Sequence, residues 1–367
     1  NSLYLNFGFV TDSAKTIFII KGDSVVIEVI ARQGKYAQVA SLLFSAPYGM
    51  RDTITNGPGS LIITGTFPIN HLGTLNNSDT TLIDYCRPLF PGINQAIAFT
   101  QGDAVMRSDF VRNGYKLNGD SVKVGVLSDS YNTIPGNPAQ VDIDNNDLPG
   151  VDKDGIPNEN PNPVHVIKEY PFGRRSDEGR AMLQIIHDIA PKAKLSFRTG
   201  FVSEGDLAKG IRDLKLDTCD VIVDDVTFIT EPYFFDGPIA KAVKEVVGQG
   251  VTYVVAAGNF GGKSYTGIFN PVPAPNGLPG SAHKFGISGG QDDLFQKISL
   301  KPGIYTIVLQ WVDNNYSAGQ TTGTQNDLDI FLTNNSGVTL FGFNRNNREG
   351  DPIEVLPFVV TDTTQTN

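Results

Sequence analysis

The chemistry this chain can offer is mostly carboxylate chemistry, and it gathers where predicted elements begin or end. Asp129 follows the apolar run Val124-Gly125-Val126-Leu127 with Ser128 between. Glu178 opens an amphipathic segment, Asp224 and Asp225 follow Val221-Ile222-Val223, and Asn259 follows Ala256-Ala257-Gly258. A carboxyl group with an ordinary pKa of about 4 is a poor base toward a hydroxyl, because the proton transfer is strongly uphill. Burial or a second carboxylate nearby raises that pKa toward neutrality. Adjacent side chains on a strand point to opposite faces, so only one of Asp224 and Asp225 can face such a partner.

The elements that must hold these residues are legible around them. Ser176 is an N-cap candidate, and Asp177 and Glu178 put carboxylates in a first helical turn, where the helix dipole favours them. Met182, Ile185, Ile186 and Ile189 recur at helical spacing, and Ala190-Pro191 ends the helix. Val122–Leu127 reads as a near-continuous apolar strand of a parallel sheet covered on both faces. Lys194–Phe197, Val221–Val223 and Val251–Ala257 read as further strands. A helix over Glu204–Leu214 and another from Pro238, with Ile239, Ala242, Val243, Val246 and Val247 on one face, alternate with them. That alternation predicts right-handed crossovers and a doubly wound α/β layer.

The flanks differ in character. Residues 1–95 read as a small α+β unit, with strands Thr16–Ile20, Ser24–Ile30, Leu61–Thr66 and Thr80–Cys86 and a helix over Lys35–Leu43. Residues 285–367 alternate with period two: Tyr305, Ile307, Leu309 and Trp311 share one strand face, and Asp327–Leu332 repeats the pattern. Asn334-Asn335-Ser336-Gly337 is a turn, and the whole predicts an antiparallel β-sandwich with Trp311 buried. At 367 residues and 40% apolar content the chain can build more than one core. A net charge of −10 argues against nucleic acid or an anionic membrane as partner. No apolar run is long enough to span a bilayer, and Cys86 and Cys219 build no disulfide framework.

The helix segment Ser176–Pro191 resembles the active-site helix of the subtilases, the subtilisin-like serine peptidases, with Glu178-Gly179-Arg180 where that family has His-Gly-Thr. Val124–Ser130 resembles the strand ending in the family's catalytic Asp, offset by one residue. Val221–Val226 stands at the place of the cleft-lining strand, and Ala256–Asn259 at that of the oxyanion strand. The resemblance implies a subtilisin-like sheet, here incomplete, over residues 96–284, preceded by a propeptide-like domain over 1–95. The junction between them is expected at Phe99–Ala104. The β-sandwich of 285–367 is similar to modules attached to many secreted bacterial peptidases. Asp129, Glu178 and Asn259 are then the catalytic candidates, with Asn259 donating to the oxyanion, and Asp224 and Asp225 are substrate-cleft candidates. A glutamate base is similar to that of the sedolisins, although their further Asp is Met182 here.

No Gly-Thr-Ser-x-Ala-x-Pro motif occurs, so the nucleophilic serine is expected beyond Asn367. The four histidines lack the family's spacing, and His187 is expected on the polar flank of its helix. The reading is a secreted or cell-surface bacterial serine endopeptidase acting on protein or peptide substrates. The alternative is an inactive subtilase-fold binding or adhesion protein. No cofactor is required; the acidic loop Asp142, Asp144, Asp147, Asp152 and Asp154 offers hard oxygen ligands for a structural calcium ion.

Overall fold

Runs of β-branched residues, buried on both faces, build the first sheet. In a computed structural model describing residues 18–54, 56, 59–76, 80–89, 93–94, 102–275, 278–334, 339–343 and 345–361, β1 (Ile20–Lys21), β2 (Ser24–Ala31), β3 (Arg51–Ile54), β4 (Ile62–Pro68) and β5 (Ile83–Pro88) pair in an antiparallel sheet. Its order is β1-β2-β4-β3, with β5 on the free side of β2. Helix α1 (Tyr36–Phe44) lays Val39 and Leu43 against Val29, Ile63 and Phe67, and α2 (Leu72–Leu75) adds Leu75 to the same core. The chain then leaves this sheet through a two-residue strand, β6 (Ile93–Asn94). The expected strand start at Thr16 and the first half of the junction at Phe99–Ala104 lie outside the described residues.

After α3 (Gly102–Met106) and α4 (Ser108–Tyr115) comes the expected α/β layer. Its strands are β7 (Lys123–Ser128), β8 (His165–Lys168), β9 (Lys194–Thr199), β10 (Val221–Asp224) and β12 (Thr252–Val255), all parallel, in the order β12-β10-β7-β9-β8. A short strand, β11 (Val226–Thr227), follows β10 outside this sheet. The helices are α5 (Pro138–Asp144), α6 (Glu178–Ile189), α7 (Glu204–Leu216) and α8 (Pro238–Gly248). One face of the sheet packs Leu127 and Ile222 against Leu207, Ile211 and Leu214 of α7 and Ala242 and Val246 of α8. The other packs Val124, Val126, Leu195 and Phe197 against Leu183 of α6. Strands apolar on both sides are thus covered on both sides, as the unbroken hydrophobic runs demand. At the β12 edge Val254 and Val255 stay exposed.

Two details of α6 differ from expectation. The N-cap position is Asp177 rather than Ser176, and Asp177 adopts a left-handed conformation with φ 57° and no capping hydrogen bond of its own. The helix is also rotated: its buried residues are Gly179, Leu183 and His187. Met182 and Ile186 pack only partly against the core, and His187 is buried rather than on a polar flank. Gly179 sets this phase. A Cβ there would lie 2.3 Å from the Phe197 ring and 2.8 Å from the Ser130 carbonyl oxygen, so only glycine lets the helix come this close to β9 and the end of β7.

The described chain packs as two compact units. The first ends at Asn259 and regains Asn315–Thr322; the second is Phe260–Asn314 with Gly323 onward. Tyr316 explains the return, because it is buried in a small core with Ile30, Leu61 and Ile62 and its hydroxyl accepts from Gln33 N at 3.2 Å. The second unit is antiparallel. It pairs β13 (Pro271–Pro273) with β14 (Ser281–His283), β15 (Gly286–Ser288) with β16 (Gln291–Asp293), β17 (Gly303–Gln310) with β20 (Ile353–Val360), and β18 (Ile330–Thr333) with β19 (Thr339–Phe343). Among the described residues these are separate two-stranded sheets. Trp311 is half-buried, its indole N–H donating to Thr324 Oγ1 at 3.2 Å. The turn expected at Asn334–Gly337 falls mostly outside the described residues.

Replacing Gly179 with Ala should lower unfolding free energy by about 1–3 kcal/mol, the usual cost of forcing atoms into a full contact. Urea denaturation of the purified variant measures this, and an unchanged midpoint would show that α6 can retreat without loss.

Candidate active site

The site is built where the parallel strands end. Asp129 is the first residue past β7 and is buried, with 2% of its surface exposed. Its Oδ1 accepts from Glu178 N at 2.9 Å, and its Oδ2 from Ser176 N at 2.9 Å and Ser176 Oγ at 2.5 Å. The cap of α6 therefore comes from another element: a carboxylate on β7 takes the amides of the first turn, where the helix dipole presents positive charge. Asp177, folded back by its left-handed conformation, accepts from Ser130 Oγ at 2.7 Å and from Thr133 N and Oγ1 at 2.8 and 2.7 Å. Burial opposes its ionisation, but these hydrogen bonds prevail and hold its carboxyl below the ordinary range.

This pair of loops presents Glu178, half-buried, toward the end of β10. Of the two adjacent acids there, Asp225 is the one on which the Glu178 charge acts. Ser128 Oγ donates to Asp225 Oδ2 at 3.1 Å, while Asp225 Oδ1 is buried with no hydrogen-bond partner among the described residues. Burial pushes Asp225 up to about 7; Glu178, Asp224 and Asp129 add repulsion, and the Ser128 bond opposes the rise. Asp224 turns the other way and accepts from the Tyr253 hydroxyl at 2.5 Å and from Val226 N at 3.2 Å. Burial pushes it to about 6 against those two bonds. Asn259 lies past the end of β12, whose Val255 is in register with Asp224, so its backbone belongs to the same end of the sheet. Its side chain is exposed, and among the described residues no hydrogen bond joins it to the acids.

Directly beyond Asp225, β11 lies against β6 in antiparallel register, Val226 opposite Asn94 and Thr227 opposite Ile93. An extended segment from the amino-terminal part thus runs as an added strand beside the carboxylates. That part is seated nearby by buried polar contacts: Ser203 Oγ donates to Asn56 Oδ1 at 3.0 Å, and Arg87 bridges Glu28 at 2.7 Å and Glu204 at 3.5 Å.

The acidic loop is occupied with its own structure. Asp142 pairs with Arg180 at 3.0 Å, Asp144 accepts from Lys153 N at 2.8 Å, and Asp152 accepts from Asp154 N and Ile156 N at 2.9 and 2.7 Å. Asp154 pairs with Lys153 at 2.7 Å, and Asp147 adds negative charge beside Asp142 and His187. Among the described residues no group of three or more His, Cys, Asp or Glu is placed to hold a metal ion.

Sequence reasoning overlooked Ser130, Thr133 and Arg180, which hold Asp177. The signal was present in the Asp129-Ser130-Tyr131-Asn132-Thr133 run, since Ser and Thr in turns favour local side-chain to backbone bonding. It also overlooked Tyr253, which no local pattern connects to Asp224.

No family model matches this chain, and no curated protein does. Among solved structures it is similar to the epidermin leader peptide processing serine protease (EpiP) of Staphylococcus aureus, with a TM-score of 0.34 and 13% identity. The match covers 64% of this chain and 60% of that one, so the chain spans less than two thirds of that protein's length. Among the described residues no helix is long and apolar enough to cross a membrane.

Asp225 gives the site a pH signature. Folded, it keeps its proton up to about 7; unfolded, it releases it near about 3.9. Between those values the folded state binds more protons, so stability falls as pH rises through the window. Asp225→Asn should flatten that fall and raise stability at pH 8 by on the order of 2 kcal/mol while changing little at about pH 4. Urea midpoints at both pH values test this, and an equal shift at both would contradict it.

Proposed function

We propose that this chain carries the acid–base part of a peptidase site of the subtilase class, with Glu178 as general base. The observation that carries the reading is the meeting of Glu178 and Asp225 beside β11, an edge that already takes an extended segment in antiparallel pairing. Peptides bind sheet edges in the same way: main-chain hydrogen bonds hold the strand, and side chains alternate between pockets. Asp129 serves as a positioning residue. By holding the amides of Ser176 and Glu178 it sets where the Glu178 carboxylate stands.

The chemistry follows from the pair of acids. Burial, with the Glu178 charge adding repulsion, pushes Asp225 up to about 7, so below that pH Asp225 holds a proton beside Glu178. As a serine hydroxyl, which the resemblance implies, attacks the scissile carbonyl carbon, a Glu178 oxygen takes its proton. The C–O bond forms, the carbonyl oxygen becomes an oxyanion near the Asn259 amide, and Glu178 then returns the proton to the leaving nitrogen as the C–N bond breaks. The amino-terminal segment, through β6, covers this edge as a propeptide would. A secreted or cell-surface setting and protein or peptide substrates accompany the reading.

The test is hydrolysis of a fluorogenic peptide library by the full-length protein from pH 3 to 9. Glu178→Gln should lower kcat/KM by about 10²–10⁴-fold, the usual contribution of a general base. Asp225→Asn should leave the acid limb of the pH profile in place, because Asp225 is already neutral there, and change activity only above about pH 7. Unaltered hydrolysis by Glu178→Gln would end the proposal.

A further inference from the structure

Arg175 is held unlike the other partly buried arginines of the first unit. Arg87 is paired with Glu28, Arg112 with Asp103, Arg180 with Asp142 and Arg198 with Asp206. Among the described residues Arg175 has no carboxylate partner. Its guanidinium instead sits over two rings, 4.7 Å from the centroid of Tyr170 and 4.6 Å from that of Phe201. Its Nη2 donates to the Tyr170 hydroxyl at 2.9 Å. Both rings are buried and lie edge-on to one another, with centroids 6.4 Å apart, so the platform is rigid.

Guanidinium carries five N–H donors in a planar fork matched to a carboxylate, and one is used here. The residue is also placed at the candidate site. The next residue, Ser176, bonds Asp129 through its amide and hydroxyl, and Arg175 N donates to Thr133 Oγ1 at 2.9 Å within the same loop pair. Phe201 lies just past the end of β9, at the end of the sheet where the acids meet. Asp129, Glu178 and Asp225 lie together at this end of the sheet and disfavour acidic ligands, in a chain whose net charge is −10. A cation already satisfied by a carboxylate would not offset that repulsion. One fixed by rings, with donors to spare, does so at a single position. A dianionic phosphate would meet the same acids with twice the charge, so a carboxylate fits this setting better.

We propose that Arg175 is a specificity residue that anchors one acidic side chain of a peptide bound across the candidate site. The inference rests on the peptidase reading for the kind of ligand, and binding can test it without turnover. Full-length protein carrying Glu178→Gln is titrated by fluorescence anisotropy with C-terminally amidated peptides in which Glu or Gln is placed in turn at each position. A neutral peptide with a free C-terminus forms a further arm. At one position the Glu peptide should bind about 10-fold more tightly than its Gln counterpart, as a charge-assisted fork contact provides. Adding Arg175→Gln should abolish that preference, and adding Arg175→Lys, which keeps charge and loses the fork, should retain part of it. Melting curves check that these variants fold.

Equal binding of Glu and Gln peptides at every position would overturn the proposal without any variant, as would a preference that survives Arg175→Gln. Dependence on Arg175 of the free C-terminus alone would overturn the side-chain assignment in favour of the chain end. Absence of hydrolysis by the protein with Glu178 intact would remove the peptidase reading while leaving an Arg175-dependent preference standing.

Discussion

The candidate site depends on one interaction, the grip of the Asp129 carboxylate on the first turn of α6. A helix start leaves amides without partners, and those of Ser176 and Glu178 point at an anion fixed on the neighbouring strand. The match of a buried negative charge to the positive end of the helix stabilises both. It also fixes the backbone of Glu178, the point from which its carboxylate reaches out. Gly179 is the steric condition for this arrangement, because any side chain there would collide with Phe197 before the amides reached Asp129. Asp177 completes the turn by folding back on Ser130 and Thr133, away from Glu178. The left-handed conformation of Asp177, costly for a residue with a Cβ, is tolerated because these hydrogen bonds over-determine it.

The acids of this chain divide by what surrounds them. Asp129 and Asp177 collect donors, and those on Asp177 hold its carboxyl below the ordinary range. Asp224 and Asp225 are buried with fewer donors and hold their protons toward neutrality. Burial alone does not mark a site, because Glu231 and Glu354 are also pushed up to about 8 by it. Glu231 spends its oxygen on the amides that open α8, and Glu354 lies in register with Leu309, on a strand whose buried Leu356 and Phe358 flank it. Glu231 is accounted for by local structure. Asp225 differs in its place, at the end of β10 and directly before β11, the strand that β6 pairs.

Much of the fold was legible because it rests on local rules. The apolar strands ending at Leu127, Phe197 and Val223 and the helices from Glu204 and Pro238 follow from periodicity and from Pro at a first helical position. What escaped was set by distant contacts. Ser176 has the composition of an N-cap, yet it is a donor to Asp129, because a carboxylate from β7 reaches the helix start first. The isoleucines of α6 predicted one buried face, but the close approach at Gly179 turned the helix and brought His187 inward. That Asp224 and Asp225 diverge was readable from strand geometry; which one meets Glu178 was not, since it depends on Tyr253 and Ser128 across the sheet. The return of Asn315–Thr322 to the first unit depends on one tyrosine finding Ile30 and Leu61, and no periodic pattern announces it.

The strand β6 gives the proposed reading its last constraint. A segment of the same chain competes for the β11 edge at an effective concentration in the millimolar range when the tether is short. A free peptide at micromolar concentration loses that contest unless the tethered strand binds weakly. Only two residues of β6 pair with β11, and so short a strand contributes few main-chain hydrogen bonds. Most of the hold on the amino-terminal part must come from elsewhere, from the Arg87 bridge to Glu28 and Glu204 and the bond between Asn56 and Ser203. On the proposed reading, cleavage of the connecting segment vacates the edge while that part stays seated. Blocking and seating are separable in this arrangement, because the residues that perform them do not overlap.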